Sequence, residues 1–257
     1  MANNDEKAFE ILNADGRGAA VIVCEHASNH FPARYRNLGL SETDRQSHAA
    51  WDPGAEALAQ RLSQALDAPL IVGRVSRLVY DCNRPPEAPG AMPERSEVID
   101  VPGNVGLSDE DRAERVHCVY DPFTTALGNL LTRQAQRATP PALITVHSFT
   151  PLWFGEHRSV EIGILHDDDS RLADEMLARA ESIPGRKINR NDPYGPDDGV
   201  THTLRLHGLA NNLANVMIEV RNDLIETPAE QDAIAEELLT LLRPALARLT
   251  QAEAGDA

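Results

Sequence analysis

The sequence predicts a three-layer α/β fold, in which helices pack on both faces of a mixed central sheet. Two observations predict this fold class. Short apolar runs bounded by Gly or Pro have the character of buried strands. They alternate with longer segments that carry helix-start signals, which is typical of sheets covered by helices on both faces. A length of 257 residues suits one large domain, so we expect a single domain over residues 1–257, with residues 1–17 and 250–257 flexible.

The predicted elements follow one another along the whole chain. Helix-start signals are clearest at Asp52-Pro53, at Ser108 with its following acids, and at Thr227-Pro228-Ala229-Glu230. Pro122 should divide the long helical segment that begins after Ser108. Strands are predicted at 19–24, 69–72, 78–80, 141–146, 160–165 and 215–220, and helices at 52–66, from 108 onward, at 168–182, at 201–209 and at 228–249.

Charge and cysteine content limit the classes of function. The net charge of -16 argues against a nucleic-acid partner, because phosphate contacts need clustered Lys and Arg. Lys7 and Lys187 are the only lysines, so Arg, whose planar fork suits carboxylates, supplies most of the positive charge. The three cysteines lack C-x-x-C spacing, which argues against a thiolate zinc site. No apolar run approaches ~18 residues and no targeting pattern is present, so we expect a cytoplasmic protein without a membrane partner.

Two of the predicted strands end at a histidine. The run 19–24 continues into Glu25-His26, and the run 141–146 continues into His147. Ligands of open α/β sheets bind outside the carboxyl ends of the strands, and two imidazoles at that edge could share one metal ion. The alternative is a pair of hydrogen-bonded histidines at strand ends, and the residues alone leave both interpretations open.

A catalytic metal site needs a third ligand, for which Asp52 and Glu25 are the candidates. Asp52 stands where the next helix is predicted to begin, so its alternative role is that of a helix N-cap. Glu25 is adjacent to His26 but points the other way if the strand pleat persists through it. A site without an acidic ligand is the remaining alternative. We predict that Asp52 completes the set formed by His26 and His147.

Two further segments carry side chains suited to substrate binding and proton transfer. Asn83-Arg84 follows a predicted strand, and an Asn-Arg pair can hold a carboxylate; the alternative is a surface loop with an Asp81–Arg84 ion pair. Glu219 lies inside the apolar run 215–220, where an enclosed carboxylate beside a metal is placed to act as general base and acid. The alternative is a structural Glu–Arg pair at the sheet edge.

Taken in order, four blocks of the sequence resemble the N-formylglutamate amidohydrolase family. The blocks are 21–28, 76–85, 145–149 and 218–222, and the resemblance extends from about residue 18 to residue 245. It implies a fold like that of zinc carboxypeptidases and aspartoacylases, one zinc ion and hydrolysis of an amide bond. His26 and His147 then match the metal histidines of the family, and Glu219 matches its general base.

The resemblance also implies how the substrate is held. Asn83 and Arg84 match the Asn-Arg pair that binds the substrate carboxylate in the wider superfamily, and Arg77 and Arg221 are further candidates for this role. One departure concerns the third metal ligand. The carboxypeptidase pattern has Glu three residues after the first His, where this chain has Asn29, so the acid must come from elsewhere.

The sequence therefore predicts a zinc-dependent amidohydrolase that acts on an N-acyl amino acid, with N-formyl-L-glutamate as the first candidate. One zinc ion is expected, although His and carboxylate ligands suit other divalent metals as well. The expected partner is a small N-acyl amino acid or dicarboxylate, and the protein is expected to be a monomer or homodimer. Two alternatives stay open: a carboxypeptidase-like or cell-wall peptide amidase on the same fold, and a non-catalytic binding protein with a degraded metal site.

Overall fold

A seven-stranded sheet forms the centre of the molecule. The computed structural model describes residues 7–136 and 140–255. Two short two-stranded hairpins stand apart from the main sheet. The described strands are β1 (Phe9–Leu12), β2 (Ala20–Cys24), β3 (Leu70–Gly73), β4 (Arg95–Ser96), β5 (Ile99–Asp100), β6 (Ala142–Phe149), β7 (Leu152–Trp153), β8 (Glu156–His157), β9 (Ile162–Leu165), β10 (Ile188–Arg190) and β11 (Asn215–Arg221).

The main sheet contains both parallel and antiparallel pairs, in the order β1-β3-β2-β6-β11-β9-β10. The four central strands β3, β2, β6 and β11 run parallel to one another. β1 is antiparallel to β3, and β9 is antiparallel to β11, whereas β10 is parallel to β9. The mixed sheet predicted from the sequence is confirmed. Every residue of β2 and β6 is buried, because helices cover both faces, and this explains their continuous apolar runs.

Helices form the two outer layers. The described α-helices are α1 (Glu42–Gln46), α2 (Ala55–Ala65), α3 (Asp109–Arg115), α4 (Asp121–Ala135), α5 (Arg171–Leu177) and α6 (Pro228–Gly255). On one face, α2, α5 and α6 bury a core that includes Leu58, Leu238 and Ile22 of the sheet. On the other face, Leu127 of α4 packs in a second core with Val21. Val21 and Ile22 enter opposite cores, as the pleat of a strand requires, and the predicted three-layer fold is confirmed.

Capping residues and one proline set several helix ends. Ser108 and Asp111 form a capping box at the start of α3, and Thr227 starts α6 in the same way. A π-helical segment, Val116–Tyr120, separates α3 from α4 just before Pro122. Proline lacks the N–H that a continuous helix needs, so the predicted division of this segment is confirmed.

The structure corrects the predictions for the two ends of the chain. Phe9–Leu12 forms β1 and pairs with β3, so this part of residues 1–17 belongs to the sheet. Phe9 and Ile11 alternate with polar Glu10 and pack against the core. α6 continues to Gly255, beyond the predicted end at residue 249. Residues 1–6 and 256–257 of the segments predicted to be flexible lie outside the described residues.

Three internal predictions also change. Residues 77–79 form a turn closed by a Val79 N–H to Ser76 O hydrogen bond of 2.9 Å, where a strand at 78–80 was expected. The run is apolar because its side chains are buried, which a turn permits as readily as a strand does. α5 spans only Arg171–Leu177 of the predicted helix 168–182, and a separate 3-10 turn, Ala180–Ser182, follows it. The helical turn predicted at 201–209 is π-helical over Leu204–Gly208.

No helix within the described ranges is long and apolar enough to cross a membrane. The hairpins β4–β5 and β7–β8 contribute Ser96, Glu97 and Trp153 to the wall of a cavity beside β6 and β11. His26 and His147, which follow the two central apolar runs, line this cavity.

Candidate metal centre and active site

Three buried side chains meet beside the central strands. His147 is a residue of β6, and His26 follows β2 by two residues. Asp52 Oδ2 lies 2.9 Å from His147 Nδ1 and 3.4 Å from His26 Nδ1. The two imidazole rings are 4.8 Å apart in an edge-to-face arrangement. Ligand-type atoms of His26, Asp52 and His147 all lie within 4.8 Å of one another, so the structure brings these three candidate residues together.

Asp52 is held in the cluster by backbone contacts. Its N–H donates to the carbonyl of His26 at 2.9 Å, and its Oδ2 accepts from the Ser148 N–H at 3.3 Å. The expectation that Asp52 caps α2 is wrong, because the helix starts at Ala55 after Gly54, whose φ of 80° sets the turn. A Cβ at Gly54 would lie 2.6 Å from the carbonyl oxygen of Ile225, so the turn requires glycine.

A second carboxylate contacts the far nitrogen of each histidine. Asp81 Oδ1 is 2.7 Å from His26 Nε2, and Glu25 Oε2 is 3.2 Å from His147 Nε2. Glu25 thus faces the opposite side of the His147 ring from Asp52. Carboxylates at the outer nitrogen of a metal-binding imidazole fix its tautomer and ring orientation. His147 Nδ1 is thereby directed at Asp52, whereas His26 Nδ1 lies between Asp52 Oδ2 at 3.4 Å and Arg77 Nη1 at 3.2 Å.

The charges of the cluster stabilise one another. Burial favours the neutral acid, but Arg77, His26 and a hydrogen bond from His147 outweigh it and hold the pKa of Asp52 well below its usual range. For His147, burial acts to lower the pKa, but the carboxylates of Glu25 and Asp52 raise it well above the usual value. The cluster is thus a chain of acids and imidazoles in which each ring lies between two carboxylates.

Glu219 differs from the other buried acids. It pairs with His147 across β11 and β6, and its Oε2 is buried without a hydrogen-bond partner among the described residues. Burial, assisted by the nearby charge of Asp52, raises its pKa to about 7. A carboxyl group with this pKa can accept and return a proton near neutral pH.

The donor set fits a divalent metal ion. Two imidazole nitrogens and one carboxylate oxygen are a common ligand set of catalytic zinc. Two ligand atoms that each lie about 2.1 Å from a tetrahedral zinc are about 3.4 Å apart. The distance between His26 Nδ1 and Asp52 Oδ2 is 3.4 Å, which agrees with this value. The distance between His147 Nδ1 and Asp52 Oδ2 is slightly shorter, at 2.9 Å. Asn29, at the position of the acid in the carboxypeptidase pattern, donates to Arg45 O and Gln46 Oε1 instead.

A cavity of about 340 Å³ opens onto the cluster, and its wall includes Arg77, Asn83, Arg84 and Glu219. Arg77 Nη1 lies 2.9 Å from Asp52 Oδ1, while Arg84 Nη1 donates to a backbone carbonyl at 2.8 Å. These two guanidinium groups bring positive charge to the cavity of an otherwise acidic protein.

Asn83 connects two loops at the wall of the cavity. Its side-chain amide donates to Val200 O and its Oδ1 accepts from the Thr203 N–H at 2.9 Å. One N–H of the amide is left for another acceptor. The Asp81–Arg84 ion pair considered as the alternative is long, at 3.8 Å between Arg84 Nε and Asp81 Oδ2.

Arg221 is not brought to this cavity, which corrects its expected role in substrate binding. Its Nε lies 2.8 Å from Asp223 Oδ1, and its Nη1 donates to the carbonyl of Arg158 at 3.2 Å. Two acids, Asp223 and Glu161, draw the guanidinium to the end of the strand. Arg221 therefore ties β11 to the segment before β9.

Sequence reasoning missed an aromatic group at the cavity. Trp153 and Tyr194 line it, and the Arg158 guanidinium lies 4.7 Å from the Trp153 ring centroid and 4.8 Å from that of Tyr194. His48, which pairs with Glu97 at 2.8 Å, lines the same cavity. The one signal for this aromatic group in the sequence was Tyr194, which stands between Pro193 and Gly195 in a polar stretch.

Fold and cluster together define a class of protein: a three-layer α/β domain with a candidate His-Asp-His metal centre beside its central strands. The family model for N-formylglutamate amidohydrolase matches residues 18–226. The chain therefore belongs to the N-formylglutamate amidohydrolase family, and an amidohydrolase activity is indicated.

Several solved structures are similar to the chain, and two of them are the following. The crystal structure of gene product Atu2144 from Agrobacterium tumefaciens shares 51% identity over 95% of this chain and 97% of its own, with a TM-score of 0.93. The N-formylglutamate amidohydrolase from Ralstonia eutropha JMP134 shares 18% identity over 96% of this chain and 99% of its own, with a TM-score of 0.66, and supports the fold. A comparison with curated proteins finds no significant match.

Proposed function

We propose that this protein is a zinc-dependent amidohydrolase that cleaves the amide bond of an N-acyl amino acid, most simply N-formyl-L-glutamate. Membership of the family supports the reaction class, and the name of the Ralstonia eutropha protein supports the substrate. His26, Asp52 and His147 are the proposed metal ligands. When bound, a zinc ion supplies a Lewis acid that polarises the amide carbonyl and makes a water molecule more acidic.

The buried, unpartnered carboxylate of Glu219 beside the His-Asp-His cluster is the observation that carries the proposal. In this role Glu219 takes a proton from the attacking water and returns it to the leaving nitrogen. A purely structural acid at this depth would be paired, because an unpartnered buried carboxylate is costly. Glu219 also lines the cavity, where its carboxylate can meet the attacking water in this proposal.

Arg84, Arg77 and Asn83 hold the substrate in this proposal. Arg84 binds the α-carboxylate through its guanidinium, and the remaining N–H of Asn83 supports it. Arg77 contacts Asp52 and is placed to bind negative charge that develops close to the cluster.

The test is release of formate from N-formyl-L-glutamate by the zinc-loaded protein and by a Glu219→Gln variant. We expect the variant to bind zinc as the wild type does, while kcat falls roughly 100- to 10,000-fold, the usual contribution of a general base. Glu110→Gln, the same substitution on an exposed turn of α3, serves as the control and should leave kcat unchanged.

Metal content distinguishes an enzyme from a binding protein that has only retained the fold. We expect about one equivalent of zinc after loading. Less than a tenth of an equivalent of any divalent metal would refute the metal-dependent mechanism. Full turnover by the Glu219→Gln variant would remove Glu219 from the role of base.

A further inference from the structure

Arg158 stands on an aromatic platform beside the wall of the central cavity. Its guanidinium lies over three rings that line the cavity, with centroid distances of 5.6 Å to Phe149, 4.7 Å to Trp153 and 4.8 Å to Tyr194. Within the described part of the chain, no carboxylate lies within ion-pair distance of Arg158. The faces of these rings, rather than an acid, therefore attract its charge.

The backbone of Arg158 is held on both sides. Its N–H donates to Pro151 O at 2.9 Å, which closes the base of the β7–β8 hairpin. Its carbonyl accepts from Arg221 Nη1 at 3.2 Å. Together with the ring contacts, these bonds give the guanidinium little freedom to move, so Arg158 is suited to orient a neighbouring group.

Arg158 fixes the direction in which Tyr194 can form hydrogen bonds. Its Nη1 donates to the Tyr194 hydroxyl oxygen at 2.8 Å. A guanidinium has no acceptor atom, so the hydroxyl must accept in this contact, and its own hydrogen is left for another partner. Among the residues that the structure describes, none accepts that hydrogen. Tyr194 thus keeps a hydrogen-bond donor available at the cavity wall.

The hydroxyl of Tyr194 lies close to the proposed reacting centre. Burial raises the pKa of the phenol, the carboxylate of Glu219 raises it further, and Arg158 and Arg77 act in the opposite direction. Charge effects weaken with distance, so Glu219 and Arg77, which flank the metal cluster, are near neighbours of the hydroxyl. A phenol whose pKa is raised keeps its proton at neutral pH and can act as a hydrogen-bond donor.

We propose that Tyr194, positioned by Arg158, donates a hydrogen bond to the amide carbonyl oxygen of the substrate as water adds to the carbonyl carbon. The inference rests on the proposed amide hydrolysis and names a further catalytic residue for it. The carbonyl oxygen gains negative charge in this step, and a donor that is already in place stabilises the charge without reorganisation. Tyr194 keeps its proton throughout, so Glu219 remains the group that transfers the proton from water to the leaving nitrogen.

Formate release from N-formyl-L-glutamate by the zinc-loaded protein tests both roles. We expect kcat of Tyr194→Phe to fall roughly 100-fold, the usual effect of removing one donor to an oxyanion, while KM changes less than about threefold. Arg158→Met removes the bond that orients the hydroxyl and should lower kcat roughly tenfold. Arg158→Lys should recover part of this loss, because an ammonium group can still donate to the hydroxyl.

The double variant separates positioning from a general structural effect. If Arg158 acts through the hydroxyl, Arg158→Met should change kcat less than about twofold in the Tyr194→Phe background. Losses that simply add in the double variant would overturn the positioning role. Arg34→Met is the matched control and should leave kcat unchanged, because Arg34 lies 5.3 Å from the Tyr35 ring centroid at a different cavity.

Calorimetric binding to the zinc-loaded protein supplies a measurement without turnover. The methylphosphonamidate of L-glutamate imitates the substrate after water has added, whereas L-glutamate lacks the carbonyl group. We expect Tyr194→Phe to weaken binding of the phosphonamidate roughly 100-fold. Binding of L-glutamate should be unchanged, which also shows that the variant is folded. Equal loss for both ligands would place the hydroxyl at a carboxylate and overturn the proposal.

The outcomes distinguish this inference from the function on which it rests. Formate release by Tyr194→Phe with the wild-type kcat would overturn the inference and leave the proposed amide hydrolysis standing. If the zinc-loaded wild type releases no formate from N-formyl-L-glutamate, the proposed function fails, and the catalytic role of Tyr194 fails with it.

Discussion

Replacing Glu219 by Gln should change how the stability of the metal-free protein depends on pH. In the folded protein the pKa of Glu219 is about 7, against an ordinary value of 4.5, because burial disfavours the charged form. The folded state thus holds a proton that the unfolded state releases at a lower pH. The contribution of Glu219 to stability is therefore fully present below pH 4.5, and it declines as the pH rises toward 7.

The size of the effect follows from the two pKa values. Proton linkage between 4.5 and about 7 predicts that the wild type loses about 2 kcal/mol of unfolding free energy between roughly pH 5 and pH 7.5 through this one group. Gln has nearly the shape of the protonated acid and does not titrate. The variant should therefore become more stable than the wild type, by about that amount, as the pH rises.

Urea unfolding in the presence of a chelator, followed by circular dichroism, measures the difference at each pH. The comparison between the two proteins removes the contributions of titrating groups that do not interact with Glu219, which both proteins share. The contributions of His26, His147 and Asp52, which interact with its charge, remain part of the difference. Glu110→Gln should follow the wild type at all pH values. Added zinc should reduce the difference, since a nearby cation favours the ionised carboxylate. Parallel pH profiles for wild type and Glu219→Gln would refute the assignment of Glu219 as a buried, unpartnered acid.

Three further predictions concern the metal cluster and the fold. Asp52→Asn should weaken zinc binding in a calorimetric titration by more than the roughly 10- to 100-fold loss expected for Asp81→Asn or Glu25→Gln, each of which removes a carboxylate from an outer histidine nitrogen. Asn29→Ala should leave the zinc affinity unchanged, and a loss comparable to that of Asp52→Asn would contradict the ligand assignment. Thr227→Ala removes the capping box of α6 and should cost about 1 kcal/mol of unfolding free energy; an unchanged urea midpoint would contradict it.

Local pattern was sufficient to predict most of the sheet and part of the site. The apolar runs before His26 and His147 form the adjacent strands β2 and β6, because continuous apolar β-branched segments are stable only when both faces are buried. Glu219 was found as a charge inside such a run, which indicates an enclosed carboxylate. The same pattern was misleading at 78–80, because a buried turn needs apolar side chains as much as a strand does.

The sequence by itself determined that this protein has a three-layer α/β fold, with two histidines and a glutamate in or just after predicted strands. That these strands are the neighbours β2, β6 and β11 came from the tertiary structure. Only the tertiary structure decided which acids surround these three side chains. Asp52 is 95 residues from His147, and Asp81 is 55 residues from His26, so these contacts depend on how loops pack at the sheet edge. The tertiary structure also decided that Arg221 stays outside the cavity, because its guanidinium pairs with Glu161 and Asp223. Strand propensity depends on residues a few positions apart, so it can be recognised in the sequence. Which charged side chains pair with one another depends on which of them are buried together, and this is decided only when the whole chain folds.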